Sequence, residues 1–184
     1  MSDKSLTPFR KLLNSELSRI TPQEYSEKKK IPVIVVLDNV RSQHNIGSAF
    51  RTSDAFCVSQ IFLCGICASP PSAEIHKSAL GAENVVPWTY FNETLEAVES
   101  LKVEGYFIVS IEQTENSTSL FDLKLAENKK IALIFGNEVK GVDQEVVNMS
   151  DMAVEIPQFG TKHSLNVSVS IGIVLWELAR NIKI

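Results

Sequence analysis

Residues 31–37 form an almost unbroken apolar run, Ile-Pro-Val-Ile-Val-Val-Leu, that is rich in β-branched side chains. A strand with one solvated face alternates apolar and polar residues, whereas a strand of a parallel sheet is covered on both faces and reads as a continuous apolar run. Similar runs recur at 60–64, 106–111, 131–135 and 152–156. These five runs predict a largely parallel sheet whose two faces are both buried.

Helix-like patterns separate the predicted strands. They lie at residues 46–56, 73–80, 93–101 and 143–148. Strands that alternate with helices predict an α/β fold in which ligands gather at the carboxyl ends of the strands. The loops that follow Leu37, Phe135 and Ile156 are therefore the candidate ligand-binding loops.

The length of 184 residues fits a single domain preceded by a short arm. The arm is predicted to span residues 1–30, with one helix from Thr7 to about Ile20 and a second opened by a capping box from Thr21 to Glu24. Residues 31–184 form the predicted α/β domain.

No apolar run reaches membrane-spanning length and the amino terminus is polar, so we expect a cytoplasmic protein without membrane contact.

The last predicted helix is apolar on two faces. Ser164 is well placed to cap its start, and the helix is predicted to run to Ile184. One apolar stripe, which would face the core, consists of Val167, Ile171, Val174 and Leu178. The second stripe consists of Val169, Ile173 and Trp176, and predicts contact with a partner subunit. The polar residues among the first turns fit either a small-molecule site or a capped helix with buried serines.

Charge and cysteine usage narrow the range of ligands. Residues 1–51 carry nine Lys or Arg and five Asp or Glu, and the remainder of the chain is acidic, so a basic face can hold RNA despite a net charge of -4. The alternative is that these charged residues simply form a solvated surface.

Cys64 and Cys67 have the spacing of a zinc knuckle but lack a second Cys/His pair, so no metal is expected.

Two loops carry polar groups suited to binding. Residues 38–52 are predicted to form a loop and the start of a helix, in which Gly47 would allow a ligand to approach the backbone closely. Arg51 would project toward the same cleft and hold a phosphate. The alternative is that Arg51 forms an ion pair with Asp54 or Asp38. The loop at 136–142 lacks the Lys-Ser/Thr ending of a P-loop, which disfavours a nucleoside triphosphate.

Three blocks in order resemble the SpoU family of tRNA/rRNA 2′-O-ribose methyltransferases, within the SPOUT superfamily. They are Asn45-Ile-Gly-Ser-Ala-Phe-Arg51, the stretch 133–141 (Leu-Ile-Phe-Gly-Asn-Glu-Val-Lys-Gly), and Ile156-Pro157 with Gly160 and the stretch 164–170 (Ser-Leu-Asn-Val-Ser-Val-Ser). Each block follows a predicted strand, and the resemblance spans residues 33–180.

The resemblance implies a SPOUT fold with a carboxyl-terminal trefoil knot, so that residues 31–184 become a methyltransferase catalytic domain. It implies S-adenosylmethionine as cofactor, RNA as substrate and a homodimer as the active form. The implied catalytic residues are Asn45, Arg51, Glu138, Ser164 and Asn166. The implied cofactor-binding residues are Phe135, Gly136, Asn137, Glu138, Gly141, Ile156, Gln158, Leu165 and Asn166.

The implied reaction is methyl transfer to a ribose 2′-hydroxyl of tRNA or rRNA. A guanidinium stays protonated, so Arg51 is interpreted as a phosphate anchor and a stabiliser of negative charge rather than as a base. The proton acceptor is left open among an RNA phosphate, water, His44 and His163. The alternative function is a catalytically silent RNA-binding protein that keeps the knotted scaffold.

Overall fold

A seven-stranded parallel sheet forms the centre of the protein, seen in a computed structural model that describes residues 9–124 and 129–181. Its strands are β1 (Ile31–Asp38), β2 (Val58–Cys64), β3 (Trp88–Phe91), β4 (Phe107–Ile111), β5 (Thr118–Ser119), β6 (Ile131–Phe135) and β7 (Met152–Glu155). The five strands predicted from apolar runs are all present. β3 and β5 were not predicted, because each is short and only half-buried and so lacks a continuous apolar run.

Six α-helices connect or flank the strands. They are α1 (Pro22–Glu27), α2 (Gln43–Ala55), α3 (Ala73–Ala79), α4 (Thr94–Val103), α5 (Gln144–Met149) and α6 (Val167–Asn181). Short 3₁₀ turns add Asn14–Glu16, Ala82–Asn84 and Leu120–Asp122. The predicted α/β class, a largely parallel sheet flanked by helices, is confirmed.

The strand order is β3-β2-β1-β6-β4-β7-β5, which places β1 and β6 side by side near the middle. β1 pairs with β2 on one edge and with β6 on the other, and Leu37 lies opposite both Leu63 and Phe135. Because all pairings are parallel, the carboxyl ends of β1, β4, β6 and β7 meet along one edge of the sheet. Any site built from the loops that follow these strands is therefore compact.

Two apolar layers cover the sheet. The larger packs α2, α3 and α6 on one face, and Phe50, Ile75 and Val174 within it are completely buried. The smaller packs α4 and α5 on the other face around Leu101 and Val146. The core-facing stripe predicted for the last helix is confirmed, since Val167, Ile171, Val174 and Leu178 are all buried.

The amino-terminal arm differs from its prediction. Residues 9–20 contain only a 3₁₀ turn at Asn14–Glu16 instead of a helix, and residues 1–8 lie outside the described part of the chain. Leu12 and Leu13 are exposed, so the proposed apolar face has nothing to pack against, and an isolated helix of this length is marginal in water. The capping box at Thr21 and Glu24 is present, and its helix buries Tyr25.

The last helix begins later than predicted. Its first helical residue is Val167, so Ser164 does not cap it. Asn166 takes that role: its Oδ1 accepts a hydrogen bond from the Ser168 N–H at 2.9 Å, and its carbonyl accepts from the N–H groups of Val169 and Ser170. Asn is as good a cap as Ser, so composition alone does not separate the two positions. Residues 182–184 are outside the described chain, and the trefoil knot stays a prediction.

Candidate functional site

A cleft of about 540 Å³ lies at the carboxyl edge of the sheet. Its walls come from the loops that follow β4, β6 and β7 and from the start of α6. The lining includes all nine residues predicted to bind the cofactor: Phe135, Gly136, Asn137, Glu138, Gly141, Ile156, Gln158, Leu165 and Asn166. The volume is in the range typical of pockets for small molecules. The structure thus brings together residues that are up to 31 positions apart in sequence.

The wall formed by the loop after β6 is held closed by its own backbone. Asn137 and Gly141 exchange two backbone hydrogen bonds of 2.9 Å each. The Asn137 side chain fills the turn, because Oδ1 accepts from the N–H groups of Val139 and Lys140, and Nδ2 donates to the Asn39 carbonyl at 2.7 Å. All of these groups are committed within the protein. Asn137 therefore shapes the wall of the cleft, and its hydrogen bonds hold the loop in place.

Glu138 projects from this loop toward the start of α2. Its carboxylate accepts hydrogen bonds from the backbone N–H groups of Arg41 and Ser42 and, at 2.9 Å, from Asn45 Nδ2. Asn45 Oδ1 in turn accepts from Asn166 Nδ2 at 3.2 Å. A chain of side-chain hydrogen bonds, Glu138–Asn45–Asn166, thus joins three parts of the sequence at the mouth of the cleft.

The ionisation of Glu138 follows from these contacts. Partial burial raises the pKa of the carboxyl group, but the hydrogen bonds from Arg41, Asn45 and Ser42 lower it by more, so the net shift is downward. The group is a carboxylate at neutral pH, and its lone pairs already accept several hydrogen bonds. Glu138 is consequently suited to positioning Asn45 rather than to accepting a proton.

Gly136 makes the closed loop possible. A Cβ at this position would lie 2.1 Å from the carbonyl carbon of Gly141 and 2.1 Å from the Val142 nitrogen. We expect Gly136→Ala to lower the free energy of unfolding by about 1–3 kcal/mol, because backbone must move to admit the methyl group, and to weaken ligand binding in the cleft. Urea denaturation and calorimetry measure the two effects.

Gly160→Ala is the matched control, since a Cβ there would have no neighbouring atom within 4 Å and Gly160 lies outside the lining of the cleft. That variant should equal or slightly exceed the parent in stability, because Ala has less conformational freedom than Gly in the unfolded chain. Equal unfolding curves for Gly136→Ala and the parent would contradict the steric role of Gly136.

The predicted catalytic residues fall into two groups. Glu138, Ser164 and Asn166 line the cleft, and Asn45 reaches it through its two hydrogen bonds. Arg51 does not line the cleft of its own chain, and the expectation that it projects there is wrong. Six residues beyond Asn45, it lies about 9 Å along α2 and about 240° around it.

Arg51 lines a different depression on the far side of α2. Its other walls come from residues 18–22 of the arm, from α1, and from residues 79–82, which connect the end of α3 to the 3₁₀ turn that follows it. The Arg51 side chain is exposed, and Asp54 lies in the same depression. The catalytic role assigned to Arg51 stays a prediction.

Gly47 serves packing rather than ligand approach. A Cβ there would lie 2.2 Å from Ser78 Oγ and 2.3 Å from the Ile75 carbonyl oxygen. Gly47 is therefore the point at which α2 and α3 come close together. A glycine at this position indicates close approach to another part of the structure, but its neighbours in α3 could not be identified from the sequence.

Glu112 and Gln113 are among the cleft residues that were not predicted from the sequence. Both follow β4 and line the cleft. Glu112 Oε2 accepts from the Val142 N–H at 2.9 Å, and Gln113 Nε2 donates to the His163 carbonyl at 2.8 Å, so the two side chains hold neighbouring loops. Both residues could have been predicted, because the strand that ends at Ile111 was predicted and its carboxyl end lies at the same edge of the sheet as the candidate ligand-binding loops.

The second apolar stripe of α6 is exposed in the single chain. Val169 is 49%, Ile173 36% and Trp176 65% exposed. Trp176 packs edge-on against Phe56, at the end of α2, with ring centroids 6.5 Å apart. We call Val169, Ile173 and Trp176 the α6 stripe. It continues toward the half of α2 that carries Arg51.

The three cysteines are free, buried thiols. Burial raises the pKa of Cys64 to about 12 and that of Cys67 to about 11, so neither is a thiolate at neutral pH. Within residues 9–124 and 129–181, no group of three or more His, Cys, Asp or Glu side chains is placed to hold a metal ion. Over the same residues no helix is long and apolar enough to cross a membrane.

Fold and cleft together define an α/β protein with a small-molecule site at the carboxyl edge of a parallel sheet. Residues 32–176 match the model of the SpoU rRNA Methylase family. The chain belongs to this family.

Relatives of known sequence agree with this assignment. The chain is 31% identical over 172 residues to tRNA (guanosine(18)-2′-O)-methyltransferase of Aquifex aeolicus, covering 92% of this chain and 78% of that protein. It is 33% identical over 149 residues to 23S rRNA (guanosine-2′-O-)-methyltransferase RlmB of Neisseria meningitidis, covering 81% of this chain and 58% of that protein. The relatives thus differ in the named RNA, and some are considerably longer than this chain.

Solved structures share the fold. The A. aeolicus TrmH/SpoU tRNA modifying enzyme superposes with a TM-score of 0.76 at 29% identity, covering 86% of this chain and 79% of that one. The AdoMet-bound rRNA methyltransferase of Sinorhizobium meliloti superposes with a TM-score of 0.77 at 28% identity, covering 83% of this chain and 57% of that one.

Proposed function

We propose that this protein is an RNA methyltransferase that transfers the methyl group of S-adenosylmethionine to a ribose 2′-hydroxyl of tRNA or rRNA. The observation that carries the proposal is the cleft, whose lining contains every residue that the SpoU resemblance assigned to the cofactor. Relatives named as 2′-O-methyltransferases of tRNA and of rRNA support the reaction, and the AdoMet-bound relative supports the cofactor.

The cleft fits a cofactor that combines an apolar adenine with polar ends. Phe135 and Ile156 contribute apolar surface, while the backbone of the Asn137–Gly141 loop and the Gln158 side chain contribute polar surface. Bound S-adenosylmethionine would supply a methyl group on a positively charged sulfur. The described residues supply no metal cluster, and the proposed cofactor carries its own electrophile.

Each residue near the cleft has a distinct proposed role. Glu138 holds Asn45 in place, and Asn45 and Asn166 present amide groups at the mouth of the cleft, where the target ribose would lie. Ser164 adds a hydroxyl on the same side. Of the two histidines considered as proton acceptors, His163 lines the cleft, which favours it over His44.

The active form is proposed to be a homodimer. The α6 stripe would present three large apolar side chains to water in a monomer, and such contiguous patches mark interfaces. Because Phe56 and the α6 stripe adjoin the half of α2 that carries Arg51, a partner seated there approaches Arg51. Arg51 would then anchor a phosphate of RNA bound in the cleft of the partner subunit.

The amino-terminal arm of residues 1–30 and the catalytic domain of residues 31–184 remain the proposed division of the chain, and a cytoplasmic location is proposed with them. The silent RNA-binding alternative is not favoured, because the cleft retains its full set of predicted residues.

The test combines cofactor binding with transfer. Calorimetry should detect binding of S-adenosylmethionine and of S-adenosylhomocysteine that persists in excess EDTA. Mass spectrometry of ribose methylation in tRNA and rRNA from cells with and without the protein should then identify one lost 2′-O-methyl group. The absence of binding at millimolar ligand would overturn the cofactor assignment, whereas binding without any lost modification would favour the silent alternative.

A further inference from the structure

The segment of residues 157–165 forms one wall of the cleft but is lightly attached to the rest of the protein. It connects β7 to α6, and four of its nine residues line the cleft: Gln158, His163, Ser164 and Leu165. Residues 159–165 are exposed, and a Cβ on Gly160 would have no neighbouring atom within 4 Å. Packing therefore contributes little to the position of this wall.

One side chain ties the 157–165 segment to the sheet. Gln113, the second residue after β4, donates from Nε2 to the His163 carbonyl at 2.8 Å. Within residues 9–124 and 129–181, this is the only hydrogen bond between the segment and other parts of the chain. Because His163 directly precedes Ser164, the same contact determines where the Ser164 hydroxyl lies.

The opposite wall of the cleft is held more firmly. The 136–142 loop closes on itself through two backbone hydrogen bonds. Glu112 attaches this loop to β4, because its Oε2 accepts from the Val142 N–H at 2.9 Å. Its Oε1 accepts from the Gln113 N–H, also at 2.9 Å, which fixes the backbone of Gln113. A continuous chain of hydrogen bonds therefore runs from Val142 through Glu112 and Gln113 to the second wall.

We infer that Gln113 is a positioning residue of this site, whose hydrogen bond to His163 holds the 157–165 segment in place before a ligand arrives. Without that bond, the segment would have to be ordered during binding. A ligand binds more weakly in proportion when only a fraction of the molecules has the competent arrangement. The inference rests on the proposed function for the identity of the ligand, whereas the attachment of the segment can be tested without any ligand.

The attachment is tested by trypsin digestion of the native protein. Lys162 is exposed within the segment, and Lys140 is exposed within the opposite wall. Cleavage of a native protein follows the population in which the local structure has opened. Gln113→Met, which removes the donor and keeps the length of the side chain, should therefore speed cleavage after Lys162. Cleavage after Lys140 should keep its rate, and the melting temperature should stay near that of the parent.

The consequence for binding is measured by calorimetry with S-adenosylhomocysteine. The detached fraction of the segment sets the rate of cleavage, and the attached fraction sets the affinity. The ratio of cleavage rates and the ratio of Kd values, each variant over parent, therefore multiply to the factor by which detachment has become more favourable. For Gln113→Met we expect a product of about three- to tenfold, which is the contribution of one hydrogen bond.

Two further variants test whether the donor is responsible. Gln113→Glu keeps the shape of the side chain, but at about pH 8 its carboxylate is ionised and has no donor to offer the carbonyl. This variant should show at least the effect of Gln113→Met. Gln60→Met is the matched control, because Gln60 Nε2 donates to Thr89 Oγ1 at the same 2.8 Å and links β2 to β3. Its product should stay at one.

Single-turnover methyl transfer separates positioning from chemistry. At saturating S-adenosylmethionine the rate of Gln113→Met should match the parent, because the bound cofactor then holds the segment. A lower rate at saturation would assign Gln113 to the chemical step and overturn its role before binding.

A product near one for Gln113→Met, or a Gln113→Glu variant that matches the parent, overturns the inference. If the parent binds neither S-adenosylmethionine nor S-adenosylhomocysteine, the proposed function fails by itself. The rate of cleavage after Lys162 still decides about Gln113 in that case: faster cleavage supports its hold on the segment, and an unchanged rate overturns it.

Discussion

Arg51→Ala is expected to lower the single-turnover rate of methyl transfer by roughly a hundredfold or more, while cofactor affinity and melting temperature stay near those of the parent. Arg51 is exposed and lines no part of its own cleft, so its loss should not disturb the cofactor loops. Lys at this position should restore only part of the rate, because an ammonium cannot reproduce the forked contact of a guanidinium with phosphate. A parent-like rate in Arg51→Ala would show that the first SpoU-like block has been assigned the wrong role.

Mixed dimers decide whether Arg51 acts across subunits. Arg51→Ala keeps an intact cleft, and Gly136→Val, whose side chain would collide with the Gly141 backbone, keeps an intact Arg51. If Arg51 serves the partner's cleft, refolding the two inactive variants together should restore about a quarter of the sites, since half of the dimers are mixed and each mixed dimer has one complete site. No recovery, with mixed dimers demonstrated, would place the action of Arg51 within its own chain.

Ile173→Asp should produce a monomer at micromolar concentration and reduce methyl transfer by at least about a hundredfold. A carboxylate in the centre of the α6 stripe would have to be buried without a partner if the dimer formed, and a cost of several kcal/mol would raise the dissociation constant of the dimer by about a thousandfold or more. Light scattering and the single-turnover rate report the two effects. Cofactor binding should persist, because the cleft is built from one chain.

Val103→Asp provides the matched control for this substitution. Val103 is an apolar residue, 89% exposed, at the end of α4 and outside the α6 stripe. This variant should remain dimeric and active. A fully active monomer of Ile173→Asp would refute the shared active site, and an Ile173→Asp variant that remains dimeric would refute the interface.

The sequence predicted the parts of the fold that are buried on two sides. β1 and β6 are continuous apolar runs because helices cover both of their faces, and their bounds were close to those observed. β3 was missed because two of its four residues are exposed, which removes the apolar signal. The arm helix was predicted from an apolar periodicity that finds no surface to pack against.

The candidate site, like the fold, was predicted only in part from the sequence. Loops after strongly predicted strands could be assigned to one edge of the sheet, and the resemblance to the SpoU family then named Gly136 and Ile156, which both line the cleft. The side of α2 on which Arg51 lies was not predicted correctly, because the estimate used only the distance along the helix and not the rotation around its axis. The link from Glu138 to Asn45 joins residues 93 positions apart and follows from tertiary structure alone.

The pairing of β1 with β6 determines how the chain behaves during synthesis. Residues 39–130 must be made between the end of β1 and the start of β6. At 5–20 residues per second, the edge of β1 that later pairs with β6 stays open for about 5–20 s after that strand is made. During this interval an apolar strand with unsatisfied backbone groups can pair with another nascent chain. Chaperone capture of the growing chain should therefore be strongest before Ile131 emerges from the ribosome.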